Sequence, residues 1–310
     1  MEQFKKVMVG LDLSQLDEVL ISNIKIFVPI LDIEKVYFIH FSKSLILPEE
    51  VTTAYPDLLA PMDETIESQI QFEIDKSKPT LDFNYEIIVK EGNAQESMLR
   101  WCNIKETDLL ILGRKKGKTP SDSLVKNLSQ KYPRPVLLLP ETPPSGEINS
   151  ILLPIDFSKH SKVSIQIALE ISKKTNATIQ CCHMYEVPSG YSKTGKSFDE
   201  FAEIMLENSK KDFNKFLKEN NLPELLCTFI LHDKKDEAEN ILEFAHSIQT
   251  DLLIVGSRGR SKSAAVLLGS VAEKLVNNNQ DIPMLVMKEK GENMSFLEAL
   301  LRILLISPLG

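Results

Sequence analysis

None of the four cysteines, Cys102, Cys181, Cys182 and Cys227, stands in Cys-x-x-Cys spacing with another, so neither a zinc site nor a dithiol redox motif is indicated. Cys181 and Cys182 are neighbours in an apolar stretch and read as core thiols of a reducing compartment. Basic charge is in the minority: 36 Lys and Arg against 44 Asp and Glu, a net charge of −8. That is the wrong sign for a surface that tracks a nucleic-acid backbone. No apolar run reaches the ~20 residues that a bilayer-spanning helix needs. The strongest candidate, residues 295–306 (SFLEALLRILLI), is too short, and Arg302 is its one basic residue. Residues 1–12 lack the layout of a secretion signal and run almost at once into a strand pattern. The expected location is therefore the cytoplasm. What is present is ordinary globular composition, 43% hydrophobic and 26% charged, over 310 residues. This is enough for two domains that each bury a core.

The chain repeats itself. VMVGLDLS around Asp12 recurs as LLPIDFS around Asp156, VYFIHF around His40 as IQCCHM around His183, and DLLILG at 108–113 as DLLIVG at 251–256. The offsets are 144, 143 and 143 residues. PVLLL after Pro135 matches PMLVM after Pro283, and the Pro-rich stretch 141–147 reads as a linker. Within the second copy, strands are expected at 151–156, 177–185, 225–231, 251–256 and 283–287. Helices are expected from Ser158, at 198–218, 236–248 and 270–277. Apolar strands without alternation are buried on both faces, which implies a parallel sheet covered by helices. Each copy is thus expected to be a five-stranded doubly wound α/β domain, Rossmann-like, with domain 1 at residues 1–141, domain 2 at 148–290 and a tail at 291–310. Ligands of such sheets bind at the carboxyl ends of strands, where the strand order reverses.

The residues most suggestive of chemistry are 251–270, DLLIVGSRGRSKSAAVLLGS. A strand ends at Gly256. Gly259 follows, and after nine further residues come Gly269 and Ser270 at a helix start. Glycines let backbone N–H groups approach an anion closely. The first turn of a helix supplies unpaired N–H groups and the positive end of its dipole. Arg258, Arg260 and Lys262 add local positive charge to an acidic protein, which suits a small anion better than a polymer. Asp156, at a strand end and followed by Ser158, can accept from a ribose hydroxyl or an amino group, or serve as a turn residue ahead of the helix. His183 reads as a packed strand histidine.

With these residues, the chain resembles the universal stress protein family in its tandem two-domain form, over residues 1–290. The carriers are Gly256-x-x-Gly259, nine residues, Gly269-Ser270, and the strand-end Asp156. The resemblance implies an adenine nucleotide alpha hydrolase-like fold and ATP as ligand, with Mg²⁺ or Mn²⁺ accompanying it in some members. It assigns the nucleoside to Asp156 and the adenine to backbone groups at Met184, with Pro154, Ile155, Val255 and Arg258 as further cofactor-binding residues. Ribose and phosphates go to Gly256, Gly259, Arg260, Gly269, Ser270 and Val271. It implies a role in the stress response as a sensor or regulator, with at most slow ATP hydrolysis. It also implies dimerisation through the last strand, here as an internal pseudo-dimer or between chains. The alternative is an interaction module with a vestigial nucleotide site. An adenylate-forming enzyme ranks last, because the HIGH, KMSKS and SGGxDS signatures are absent.

The first copy departs from this pattern. Gly113 to Pro135 spans 22 residues where Gly256 to Pro283 spans 27, and Ser121 and Asp122 fall where Gly269 and Ser270 stand. A carboxylate at a helix start repels phosphate, so the first copy is expected to bind ATP weakly or not at all.

Overall fold

The computed structural model describes residues 4–46, 49–54, 61–76, 83–117, 120–142, 146–232, 236–259 and 268–288. Residues 291–310, the expected tail, lie outside them, as does the middle of the stretch 141–147. The described chain forms two compact units, the first ending at Gly146 and the second beginning at Glu147.

In the first unit β1 (Lys6–Leu11), α1 (Gln15–Leu31), β2 (Lys35–Ser42), α2 (Glu49–Ala54), α3 (Met62–Lys76), β3 (Asn84–Glu91), α4 (Ala94–Ile104), β4 (Leu109–Arg114), α5 (Pro120–Lys131) and β5 (Val136–Pro140) follow in order. The strands lie side by side as β3-β2-β1-β4-β5, every pair parallel. The second unit repeats this with β6 (Ser150–Pro154), α6 (Lys159–Thr175), β7 (Thr178–Tyr185), α7 (Phe198–Glu219), β8 (Leu226–Leu231), α8 (Glu237–Ser247), β9 (Leu252–Gly256), α9 (Ser270–Asn278) and β10 (Met284–Met287). Its order is β10-β9-β6-β7-β8, again all parallel. The central strands carry the core: Val7, Met8, Val9, Ile151, Leu152 and Leu153 are fully buried. Apolar side chains on both faces of one strand are the mark of a sheet covered on both sides.

Polar residues at fixed places set where each element starts and stops. Ser14, Asn93, Ser158, Ser197 and Asp236 each accept a first-turn N–H with the side chain, capping α1, α4, α6, α7 and α8. Ser197 and Glu200 complete a reciprocal capping box. Asp108 and Asp251, the Asp of each DLLI repeat, accept backbone N–H groups at the start of β1 and β6 respectively. They pin neighbouring strands in register.

The repeat also persists in the backbone. Leu13 and Phe157, each one residue past a strand-end Asp, have positive φ of 59° and 64°. So do Asp32 and Asn176, which close α1 and α6, at 55° and 60°. His40 and His183 each set Nδ1 against a backbone carbonyl at the end of the central strand, Leu11 of β1 at 3.1 Å and Ile155, one residue past β6, at 2.8 Å. A carbonyl only accepts, so Nδ1 carries the proton.

Candidate nucleotide-type pocket

The turn after the central strand is built differently in the two units. In the second, Oδ1 of Asp156 accepts from Ser158 N–H at 3.1 Å and from the Ser161 hydroxyl at 2.7 Å, while Ser161 Oγ accepts Asp156 N–H at 3.1 Å. Asp156 is therefore a turn residue through one oxygen. Its other oxygen, Oδ2, points toward the glycine loop: a Cβ on Gly259 would lie 2.8 Å from it. Phe157 stacks on the His183 ring with centroids 4.2 Å apart, and Phe213 and Phe216 pack behind it. This apolar wedge holds the left-handed turn that aims Asp156 off the strand end.

A cavity of about 300 Å³ opens over these strand ends. Pro154, Ile155 and Asp156 of the β6 end, Met184 of β7 and Val255 and Gly256 of β9 line it, with Arg258 and Gly259 of the following loop and Gly269, Ser270 and Val271 at the start of α9. Arg260 lies outside the described residues; every other residue expected at the site from the sequence faces this one cavity. The lining also includes Ser161, Cys182, His183, Glu237, Ile241, Ser257 and Ala272, which sequence reasoning did not assign. Ser161 and Glu237 sit on helix starts that read as ordinary solvated turns. Cys182 and His183 precede Met184, and their packing explains their presence without a motif.

The loop between β9 and α9 is tied at both ends. Ser257 N–H bonds to the Met287 carbonyl at 2.8 Å and Gly269 N–H to the Ser257 carbonyl at 2.6 Å. A Cβ on Gly269 would make ordinary contact, 3.4 to 3.5 Å, with backbone atoms of Ser257 and Arg258. The N-cap of α9 is Gly269, and Ser270 is the first helical residue. Among the described residues no side chain caps this helix, in contrast to the five capped helices above. Its first-turn amides face the cavity with the acceptor position left to something else. Among the described residues no cluster of three His, Cys, Asp or Glu side chains is arranged to hold a metal. The thiols of Cys181 and Cys182 are buried, and burial pushes both well up, Cys181 to about 12. They are not nucleophiles at neutral pH.

In the first unit the same corner is filled from within. Lys115 Nζ pairs with Asp12 Oδ2 at 2.6 Å. Burial opposes ionisation of Asp12, but its hydrogen bonds to Lys115 and Ser14 prevail and hold the carboxyl below its ordinary value. Asp17 stands where Ser161 stands in the second unit and accepts N–H groups from Asp12 at 3.1 Å and Leu13 at 2.8 Å. Burial, with the Asp12 charge adding to it, pushes the Asp17 carboxyl up to about 6. α5 begins at Pro120, so Ser121 and Asp122 belong to its first turn.

A carboxyl whose folded pKa is raised contributes stability that is full below its ordinary 3.8 and is lost as pH rises through about 6. Asp17→Asn keeps one acceptor and removes the charge. The stability of the native protein relative to this variant is expected to fall by roughly 3 kcal/mol between pH 4 and 7. Denaturant titrations at several pH values check this, and a difference independent of pH would contradict it.

A doubly wound parallel α/β unit with a glycine-lined cavity at its strand-order reversal has the architecture in which ligands bind outside the carboxyl ends of the strands. Residues 147–288 match the family described as Universal stress protein family. The match spans the second unit alone, in a chain that carries the fold twice. It is 22% identical over 169 residues to the stress response protein NhaX of Bacillus subtilis, covering 44% of this chain and 96% of that protein. It is 28% identical over 145 residues to a universal stress protein of Methanocaldococcus jannaschii, covering 46% and 84% respectively. Among solved structures, a functionally unknown protein from Pseudomonas aeruginosa PAO1 matches 97% of this chain and 98% of its own with a TM-score of 0.66 at 13% identity. A universal stress protein from Archaeoglobus fulgidus matches 94% and 98% with a TM-score of 0.58 at 14% identity. At these identities the likeness is one of fold. Among the described residues no helix is long and apolar enough to cross a membrane.

Proposed function

We propose that the second unit binds an adenine nucleotide, ATP foremost, and that the chain acts in the stress response as a sensor or regulator. The observation that carries this reading is the start of α9: first-turn amides that no side chain among the described residues caps, facing the same cavity as Gly256 and Gly259. Anions settle on such amides because the donors and the helix dipole act together. In this reading Gly256, Arg258, Gly259, Gly269, Ser270 and Val271 hold the phosphates. Asp156 Oδ2 accepts a ribose hydroxyl while Oδ1 keeps its turn. The base lies against Pro154, Ile155, Met184 and Val255. A Mg²⁺ or Mn²⁺ ion arriving with the nucleotide keeps water ligands and rides on phosphate oxygens. The output is conformational, with no side chain assigned to catalysis.

The first unit is proposed not to bind ATP. Lys115 already neutralises its strand-end Asp12, and Lys116 occupies the repeat position of Gly259. Calorimetric titration of the full chain with Mg·ATP tests both parts. One ATP per chain is expected. No binding refutes the nucleotide site, and two per chain refutes the assignment of the first unit.

A further inference from the structure

The cavity has two ends, and the topology says which is which. β6 is central, with β9 on one side and β7 and then β8 on the other. The glycine loop and the start of α9 follow β9, so the anion end lies on that side. Met184 ends β7, and α8 enters from β8, one strand further out. Glu237, the first residue of α8, and Ile241, one turn on along the same face, both line the cavity. Ile155, Cys182, Ile241 and Val255 are buried apolar side chains around it, a fitting wall for a flat ring. Among the described residues no donor hydrogen-bonds the Glu237 carboxylate, although the Lys274 charge of α9 lies within its field.

The helix does not need this carboxylate for its own structure. Asp236 caps α8 by accepting Ala238 N–H at 2.9 Å, and the same residue takes the ion pair from Lys274. The Asp236–Lys274 pair ties the start of α8 to α9, so Glu237 stands between the apolar wall and the anion end; a carboxylate repels a triphosphate, and its use there is toward the base.

Resting on the nucleotide reading above, the geometry points to Glu237 as the residue that selects the base: its carboxylate accepts a hydrogen bond from the exocyclic amino group of adenine. Hypoxanthine is the same ring system with a carbonyl oxygen in place of that amino group. Its lone pairs would face those of the carboxylate, so discrimination combines a lost attraction with a new repulsion. Charge-assisted hydrogen bonds at a partly exposed position correspond to about a ten-fold change in affinity.

The test is calorimetry on the full chain with Mg·ATP and Mg·ITP, for the native protein, Glu237→Gln and Glu237→Ala, with melting temperatures in parallel. The native protein is expected to prefer ATP by about ten-fold or more. Glu237→Gln, which can donate as well as accept, should bring the two affinities close together by strengthening ITP. Glu237→Ala should weaken ATP and leave ITP unchanged or improved. Equal native affinities for ATP and ITP, or a preference that survives both substitutions, overturn the role of Glu237 while leaving the nucleotide site standing. Failure of the folded native protein to bind either nucleotide removes both together.

Discussion

Gly259→Val is expected to lower ATP affinity about 1,000-fold, the loss of two or more charge-assisted hydrogen bonds, with little change in melting temperature. The Cβ of any larger residue would lie 2.8 Å from Asp156 Oδ2. The carboxylate cannot simply swing away, because Oδ1 is fastened to Ser158 N–H and the Ser161 hydroxyl. Either the loop lifts and takes its amides off the phosphates, or Asp156 turns and loses the ribose. Both routes end in weak binding, and neither disturbs the buried strands. Titration with ATP and a thermal melt on the same sample distinguish this from unfolding. Unchanged affinity in a folded Gly259→Val protein would remove the loop from the site.

The second large effect concerns Lys288, which follows β10 and is only 1% exposed. Burial, with the Arg258 charge adding to it, brings its ammonium down from the ordinary 10.5 to about 7. Between these values the unfolded chain holds a proton that the folded protein has released. This contribution to stability is full above 10.5 and is lost as pH falls through about 7. Lys288→Met retains an apolar chain of similar length and removes the charge. It is expected to raise stability by on the order of 3–5 kcal/mol at pH 6, with the gain shrinking as pH rises toward 10. Denaturant unfolding at pH 6, 8 and 10 measures it. A gain constant across that range would mean that the side chain is not titrating in the folded protein.

These two residues differ sharply in how visible they were beforehand. Gly259 belongs to a spacing pattern with a physical reason, close approach of amides to an anion, and such patterns survive in the sequence. Lys288 sits in MLVMKEK, which reads as a strand running out into solvent. Its burial comes from register, since Met287 pairs with Gly256 and carries the next residue beneath the Arg258 loop. Glu237 is similar: HDKKDEAEN looks like a solvated helix start, and only the crossover from β8 brings it to the cavity. The doubled α/β architecture, by contrast, was legible in the strands and helices of both units. Unalternating apolar strands, the paired DLLI segments and the helix-opening Ser158 and Asp236 each carry local information. The first unit shows the limit of reading by homologous position. Asp12 and Asp156 correspond in the alignment of the two halves, yet one is held by Lys115 and the other faces a glycine loop. The difference arises from residues about a hundred positions away in each case.

The strand order also has a consequence for how the protein is made. β6 pairs on one flank with β7, which follows soon after it, and on the other with β9, where Ile151 meets Leu252. A ribosome delivers that second neighbour about a hundred residues late. Until then the central strand of the unit waits with one row of amides and carbonyls open to any passing chain. Its twin, β1, waits likewise for β4. Two such intervals occur in every round of synthesis, so a nascent-chain-binding chaperone has its work concentrated there, before any cavity for a ligand exists.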